Sequence, residues 1–133
     1  MADRFFAPAE VEALIPALTE IMEDVMAAQA EAATVRQRLR DEQDRIAASG
    51  GGVIDRDAWT RGTAALERLG TRLQARLDDI TRLGGSPKDL GLGLVDFPHL
   101  RAGHVVNLCW KYGERSIGYW HGLDEGFAAR KPL

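Results

Sequence analysis

Apolar residues at Val11, Leu14, Leu18, Ile21, Val25, Ala28, Ala32, Val35, Leu39 and Ile46 recur at steps of three, four or seven. Ile15 and Met22 widen this stripe and Gln29 narrows it. The spacing keeps one face apolar over about ten turns and predicts one long helix over 8–48. Pro16 lies inside the pattern, where it removes a backbone donor and predicts a kink or reset of the first turns. Alanines between Met26 and Thr34 favour helix but offer only small side chains to a seam. Ser49-Gly50-Gly51-Gly52 stops the helix, Val53 and Ile54 follow, and Asp55 is a candidate N-cap for the next. Trp59, Leu66, Leu69, Leu73, Leu77, Ile80 and Leu83 then mark a second amphipathic helix over 55–83, ended by Gly84-Gly85 and Ser86-Pro87.

Two long helices joined by a short glycine-rich connection predict an antiparallel hairpin with a coiled-coil-like seam. The first helix would be about 60 Å long and the Trp59–Leu83 stretch about 37 Å. The unmatched stripe needs another surface, either the C-terminal segment or a second copy of the chain, and a homodimer along the helices is expected. After Pro87 the pattern changes. Leu92 to Pro98 reads as a short extended segment ended by its proline, with Leu94 to Phe97 as a third strand. His104 to Tyr112 and Ile117 to Gly122 are aromatic and β-branched runs flanking the turn signal Gly113-Glu114-Arg115-Ser116, which predicts a β-hairpin. A small sheet over 92–122 and an irregular or briefly helical tail over 123–133 complete the expectation. The fold class is α+β: a long antiparallel helical hairpin packed with a small C-terminal antiparallel sheet.

Composition narrows the function classes. The 133 residues suit a single domain over 1–133, and 45% hydrophobic with 28% charged residues is ordinary for a globular chain. A net charge of -3 gives no electrostatic pull toward nucleic acid or an anionic membrane, and the basic residues Arg36, Arg38, Arg40 and Arg45 are interspersed with acids. The apolar residues of Val11 to Val25 are broken by acids and Pro16, so no bilayer span is expected, and Met1 to Phe6 holds no signal-like apolar run. One cysteine excludes an intramolecular disulfide and suits a reducing cytoplasm.

The C-terminal third carries a recognisable series: Gly-Leu-Val-Asp-Phe-Pro at 93–98, Leu-Cys-Trp at 108–110, Gly-Glu at 113–114, Trp-His at 120–121, and Gly-Phe-Ala at 126–128 with Arg130 and Pro132. Together with Phe6, Glu10, Leu14, Ile15 and Pro16 at the other end, it resembles a small bacterial family known only as a domain of unknown function. Ala7 stands where that family has a Ser or Thr helix cap, and Ala129 where a second Gly precedes the Arg. The resemblance implies no established activity, so function rests on the residues.

All three histidines, the cysteine and two of the three tryptophans lie between Gly93 and Leu133. Cys109, His121, Asp96 and Glu114 are the candidate metal ligands, because thiolate, imidazole and carboxylate suit zinc or iron. A hairpin turning at Glu114-Arg115 puts Cys109 opposite Trp120 and Leu108 opposite His121; a one-residue shift would pair Cys109 with His121 directly. No paired-cysteine or paired-histidine spacing supports the metal, and the competing reading is a buried structural cysteine with a histidine bonded to Asp96 or a carbonyl. His99 and His104 are expected in solvent. A small enzyme using Cys109 as nucleophile, His121 as base and Asp96 as orienter is a further reading, opposed by the burial of Cys109 between Leu108 and Trp110, which dulls a thiol.

Arg130 is expected to pair with Asp96 or Glu114 through a bidentate bond, pinning tail to sheet. Trp110, Tyr112, Tyr119 and Trp120 read as apolar anchors rather than a stacking platform. Glu20 and Glu23 are not the Glu-x-x-His pair of di-iron bundles, and they fall off the apolar stripe. Two functional classes follow: a small cytoplasmic accessory or binding protein holding a transition metal at its sheet, or a structural interaction module whose helices recruit a protein partner.

Overall fold

A computed structural model describes residues 4–50 and 55–133. Met1 to Asp3 and Gly51 to Ile54, which include Gly51 and Gly52 of the predicted glycine turn, lie outside the described residues. The architecture is α+β: helix α1 (Pro8–Ala48), helix α2 (Arg56–Leu83), and five strands, β1 (Ser86–Asp89), β2 (Leu94–Arg101), β3 (His104–Lys111), β4 (Tyr119–His121) and β5 (Lys131–Pro132). The sheet is antiparallel throughout in the order β1-β2-β3-β4-β5.

The helix boundaries follow the sequence signals closely. Ala7 brings no capping side chain, but its amide donates to Glu10 Oε1 at 2.9 Å, which is half of a capping box. That bond holds the Glu10 carboxyl below its ordinary value. The helix runs without interruption through Pro16. Asp55 caps α2, its Oδ1 accepting from the Ala58 amide at 3.0 Å. At the other end Gly84 adopts φ +99°, Gly84 N–H donates to Thr81 O and Gly85 N–H to Ile80 O, the paired bonds of a Schellman motif.

The chain divides into two compact units, one comprising residues 1–26 with 76–133 and the other 27–75. The second consists of the distal stretches of both helices. There Ala28, Ala32 and Leu69 are buried with Leu66 packed against them, and the Arg72 guanidinium reaches Glu31 at 4.0 Å. Small alanines bury little area there, and further along α1 Val35, Leu39 and Ile46 are half-buried. In the first unit Phe6, Val11, Leu18, Met22 and Val25 are buried, as are Ile80, Val95, Phe97, Leu108 and Trp110. Phe6 meets Phe97 edge-on at 5.1 Å, Glu12 Oε1 accepts from the Ile117 amide at 2.9 Å, and the Tyr112 hydroxyl donates to Glu23 at 3.1 Å. Gly93, at φ +72°, lets the chain pass close by Tyr112: a Cβ there would lie 2.6 Å from Tyr112 Cβ. The sheet therefore covers the proximal part of the α1 stripe that α2 is too short to reach.

Several local expectations are corrected. Pro98 does not end its strand; β2 continues to Arg101. Its carbonyl accepts from the Phe6 amide at 2.7 Å. The N–H and C=O of one strand residue point the same way, so the donor that proline lacks belongs to the Phe6 side and not to the ladder with β3. The β2–β3 connection is a two-residue turn at Ala102-Gly103 with φ +50° and +80°, a mirror-type turn made without the usual Asn or Asp. The sheet extends beyond 92–122 at both ends, through β1 at Ser86–Asp89 and β5 at Lys131–Pro132. The tail does contain one short helical turn, Phe127–Ala129. Trp110 is fully buried, whereas Trp120 carries the Arg101 guanidinium and the Lys131 ammonium 4.8 and 4.7 Å from its ring.

Candidate metal centre

Three neighbouring strands each contribute one chemically capable side chain to the same face. Asp96 of β2 is the direct register partner of Cys109 of β3. His121 of β4 is paired with Asn107, and Leu108 with Trp120. This register is neither of the two the sequence offered, because the β3–β4 connection is centred on Glu114 itself, with an odd number of residues, and not between Glu114 and Arg115. Residues two apart on a strand share a face, so Asn107, Cys109, Asp96 and His121 all stand on one side of the sheet. Asp96, Cys109 and His121 are 3%, 1% and 2% exposed. One oxygen, one sulfur and one ring nitrogen from these residues lie within 4.8 Å of one another.

The hydrogen bonds of His121 constrain its chemistry. Nδ1 lies 2.8 Å from the Gly122 carbonyl oxygen, and Nε2 lies 3.0 Å from Asp96 Oδ1. A carbonyl only accepts, so Nδ1 carries a proton. Nε2 then faces a carboxylate, and the contact requires a cation between nitrogen and oxygen, either a proton or a metal ion. The Cys109 thiol is pushed up to about 12, first by burial and then by the neighbouring Asp96 charge. Such a thiol is a poor nucleophile, and neither His121 nitrogen is left to act as its base. The Cys109–His121–Asp96 constellation is therefore not arranged as a cysteine nucleophile with its base.

Glu114 is not among the three converging residues. Arg130 Nη2 donates to Glu114 Oε1 and Oε2 at 2.9 and 2.7 Å, and the Lys111 amide donates to Oε1 at 2.7 Å. The expected Arg130 partner is thus Glu114, but one guanidinium nitrogen serves both oxygens in place of a two-nitrogen fork. The guanidinium also stacks over Tyr119 and Phe127 at 4.1 and 4.8 Å, fastening the tail to the sheet. His104 is exposed as expected. His99 is not: it is half-buried, with Nδ1 2.7 Å from the Phe6 carbonyl oxygen.

A cavity of about 120 Å³ opens onto the cluster, lined additionally by Lys88, Leu94, Asn107, Leu123 and Glu125. Asn107 is the residue the sequence could have offered: a polar side chain in an apolar strand, in phase with Cys109. Lys88 and Glu125 carry no such signal, since they reach the cavity from a polar strand and from the tail. Glu125 Oε1 accepts from Lys131 Nζ at 2.6 Å and from the Gly122 amide at 2.7 Å, and these bonds hold its carboxyl below its ordinary value. Among the described residues no helix is long and apolar enough to cross a membrane.

A family model described as an uncharacterised conserved protein, DUF2203, matches residues 4–133. No curated protein and no solved structure matches the chain.

Proposed function

The chain belongs to the DUF2203 family, and we propose that it binds one transition metal ion, zinc or ferrous iron, through Asp96, Cys109 and His121. The observation that carries this reading is the His121 ring, whose Nε2 faces the Asp96 carboxylate at 3.0 Å while its Nδ1 is committed to a backbone carbonyl. A carbonyl bonded to the far nitrogen of a ligating histidine is the usual outer-shell support of a metal site. Tetrahedral zinc with bonds of about 2.0–2.3 Å holds its ligands about 3.3–3.7 Å apart, so atoms already within 4.8 Å need only small rotations to close on it. A dication with one carboxylate, one thiolate and a neutral imidazole is also formally neutral, which suits burial. The lone buried thiol fits a reducing compartment, and the proposal extends to a cytoplasmic accessory protein. The test is elemental analysis and zinc titration of purified protein. About one metal per chain, lost on Cys109→Ser, supports the site; the same metal content in both proteins counts against it.

A second reading rests on the distal stretches of the helices, where Val35, Leu39, Ile46 and Trp59 remain half-buried. They favour an interaction module that pairs with a second copy of the chain or recruits a protein partner. Light scattering that returns a monomer mass at every concentration would exclude the homodimer.

A further inference from the structure

We propose that the cavity over the Asp96–Cys109–His121 cluster is a binding site for a short-chain monocarboxylate, one oxygen on the metal and the other held by Lys88 and Asn107. This rests on the metal reading and extends it to a ligand. Three protein donors leave a tetrahedral ion one open position, the pattern of a ligand-exchanging rather than a closed structural site. At about 120 Å³ the cavity has room for roughly four waters or an acid of comparable size. Its lining is divided by chemistry: Leu94 and Leu123 offer an apolar wall to an alkyl group, Lys88 and Asn107 offer donors, and the one further charged group, the Glu125 carboxylate, is neutralised by Lys131.

The two donors are placed by the backbone. β1 pairs Pro87 with Val95 and Asp89 with Leu94, so the intervening bulge leaves Lys88 unpaired, a device that re-aims a side chain beside a site. Asn107 sits across from His121 and in phase with Cys109. Neither Lys88 nor Asn107 makes a side-chain hydrogen bond or ion pair among the described residues. Lys131, by contrast, is engaged with Glu125. Charge then selects the ligand. The metal with its thiolate and carboxylate sums to zero, so an arriving anion leaves one negative charge that the Lys88 ammonium balances.

Cobalt-loaded protein titrated with propionate tests this, with propionamide as the uncharged control and the visible absorption of the metal as readout. Propionate is expected to shift the spectrum saturably and propionamide to leave it unchanged. Lys88→Gln, at an exposed position outside the core, should keep its cobalt and bind propionate about 10–100-fold more weakly, the worth of one charge-assisted hydrogen bond. Cobalt binding with no response to propionate, or an equal response in Lys88→Gln, overturns the carboxylate site alone. Failure of cobalt to bind overturns the metal site and the carboxylate site together.

Discussion

His121 Nε2 lies 3.0 Å from Asp96 Oδ1, spanning from β4 to β2 across the strand that carries Cys109. Both side chains are almost wholly buried, and His121 spends its other nitrogen on the adjacent Gly122 carbonyl. The contact therefore ties β4 to β2 across β3 and leaves both groups almost wholly out of solvent.

Removing one member should be expensive. Asp96→Ala strands the His121 ring against an empty position and is expected to cost about 3–5 kcal/mol in metal-free protein. Urea unfolding, compared at constant m-value, measures it. A loss below about 1 kcal/mol would mean that water reaches the site and compensates.

Metal affinity offers an independent probe. Altering an outer-shell partner of a metal ligand typically costs 10–100-fold, so loss of a direct ligand in Cys109→Ser should lower zinc affinity by more than about 100-fold. Competition with a chromophoric chelator reads this directly. Glu114→Gln should leave affinity within a few-fold of the parent, because Glu114 serves Arg130 and the Lys111 amide rather than the cluster.

The helices were legible because their stripes, the Asp55 cap and the Gly84-Gly85 stop are all local signals. The sheet was legible in part. β1 and β5, with the sequences Ser-Pro-Lys-Asp and Lys-Pro, carry no apolar alternation, and their pairing comes from neighbours distant in sequence. Pro98 misled because a proline's effect depends on which edge its missing donor faces. At the site, residue type pointed to Asp96, Cys109 and His121, but their shared face depends on the β3–β4 register, which the connecting loop sets. Glu114 shared the chemistry without the geometry. Lys88 became visible only through a bulge.

Arg130→Ala removes the cation bound to Glu114 and the stack on Tyr119 and Phe127. Both partners of the ion pair are only partly buried, so the expected loss is about 1.5–3 kcal/mol, less than a fully buried pair would give. The tail should also exchange its amide hydrogens faster, Leu133 first, whose amide donates to Gly118 O at 2.9 Å. An unchanged urea midpoint would show that the tail is held by the β4–β5 ladder without the arginine.

Cys109 sets an alkaline limit on the metal-free protein. Its folded value of about 12 lies above the ordinary 9.0, so folding favours the protonated thiol. The folded state then binds more protons than the unfolded state between those values, and stability falls as pH rises. The thiol's contribution is fully present below about pH 9 and is lost progressively toward pH 12. In that window the slope is up to about 1.4 kcal/mol per pH unit from this group. Cys109→Ala removes the titration while leaving the tyrosines and lysines common to both proteins, so its stability should decline less steeply with alkali. Zinc should flatten the parent's curve in the same way, because a bound thiolate has no proton left to lose. Parallel curves for parent and variant above pH 9 would mean that water already solvates the thiolate in the fold.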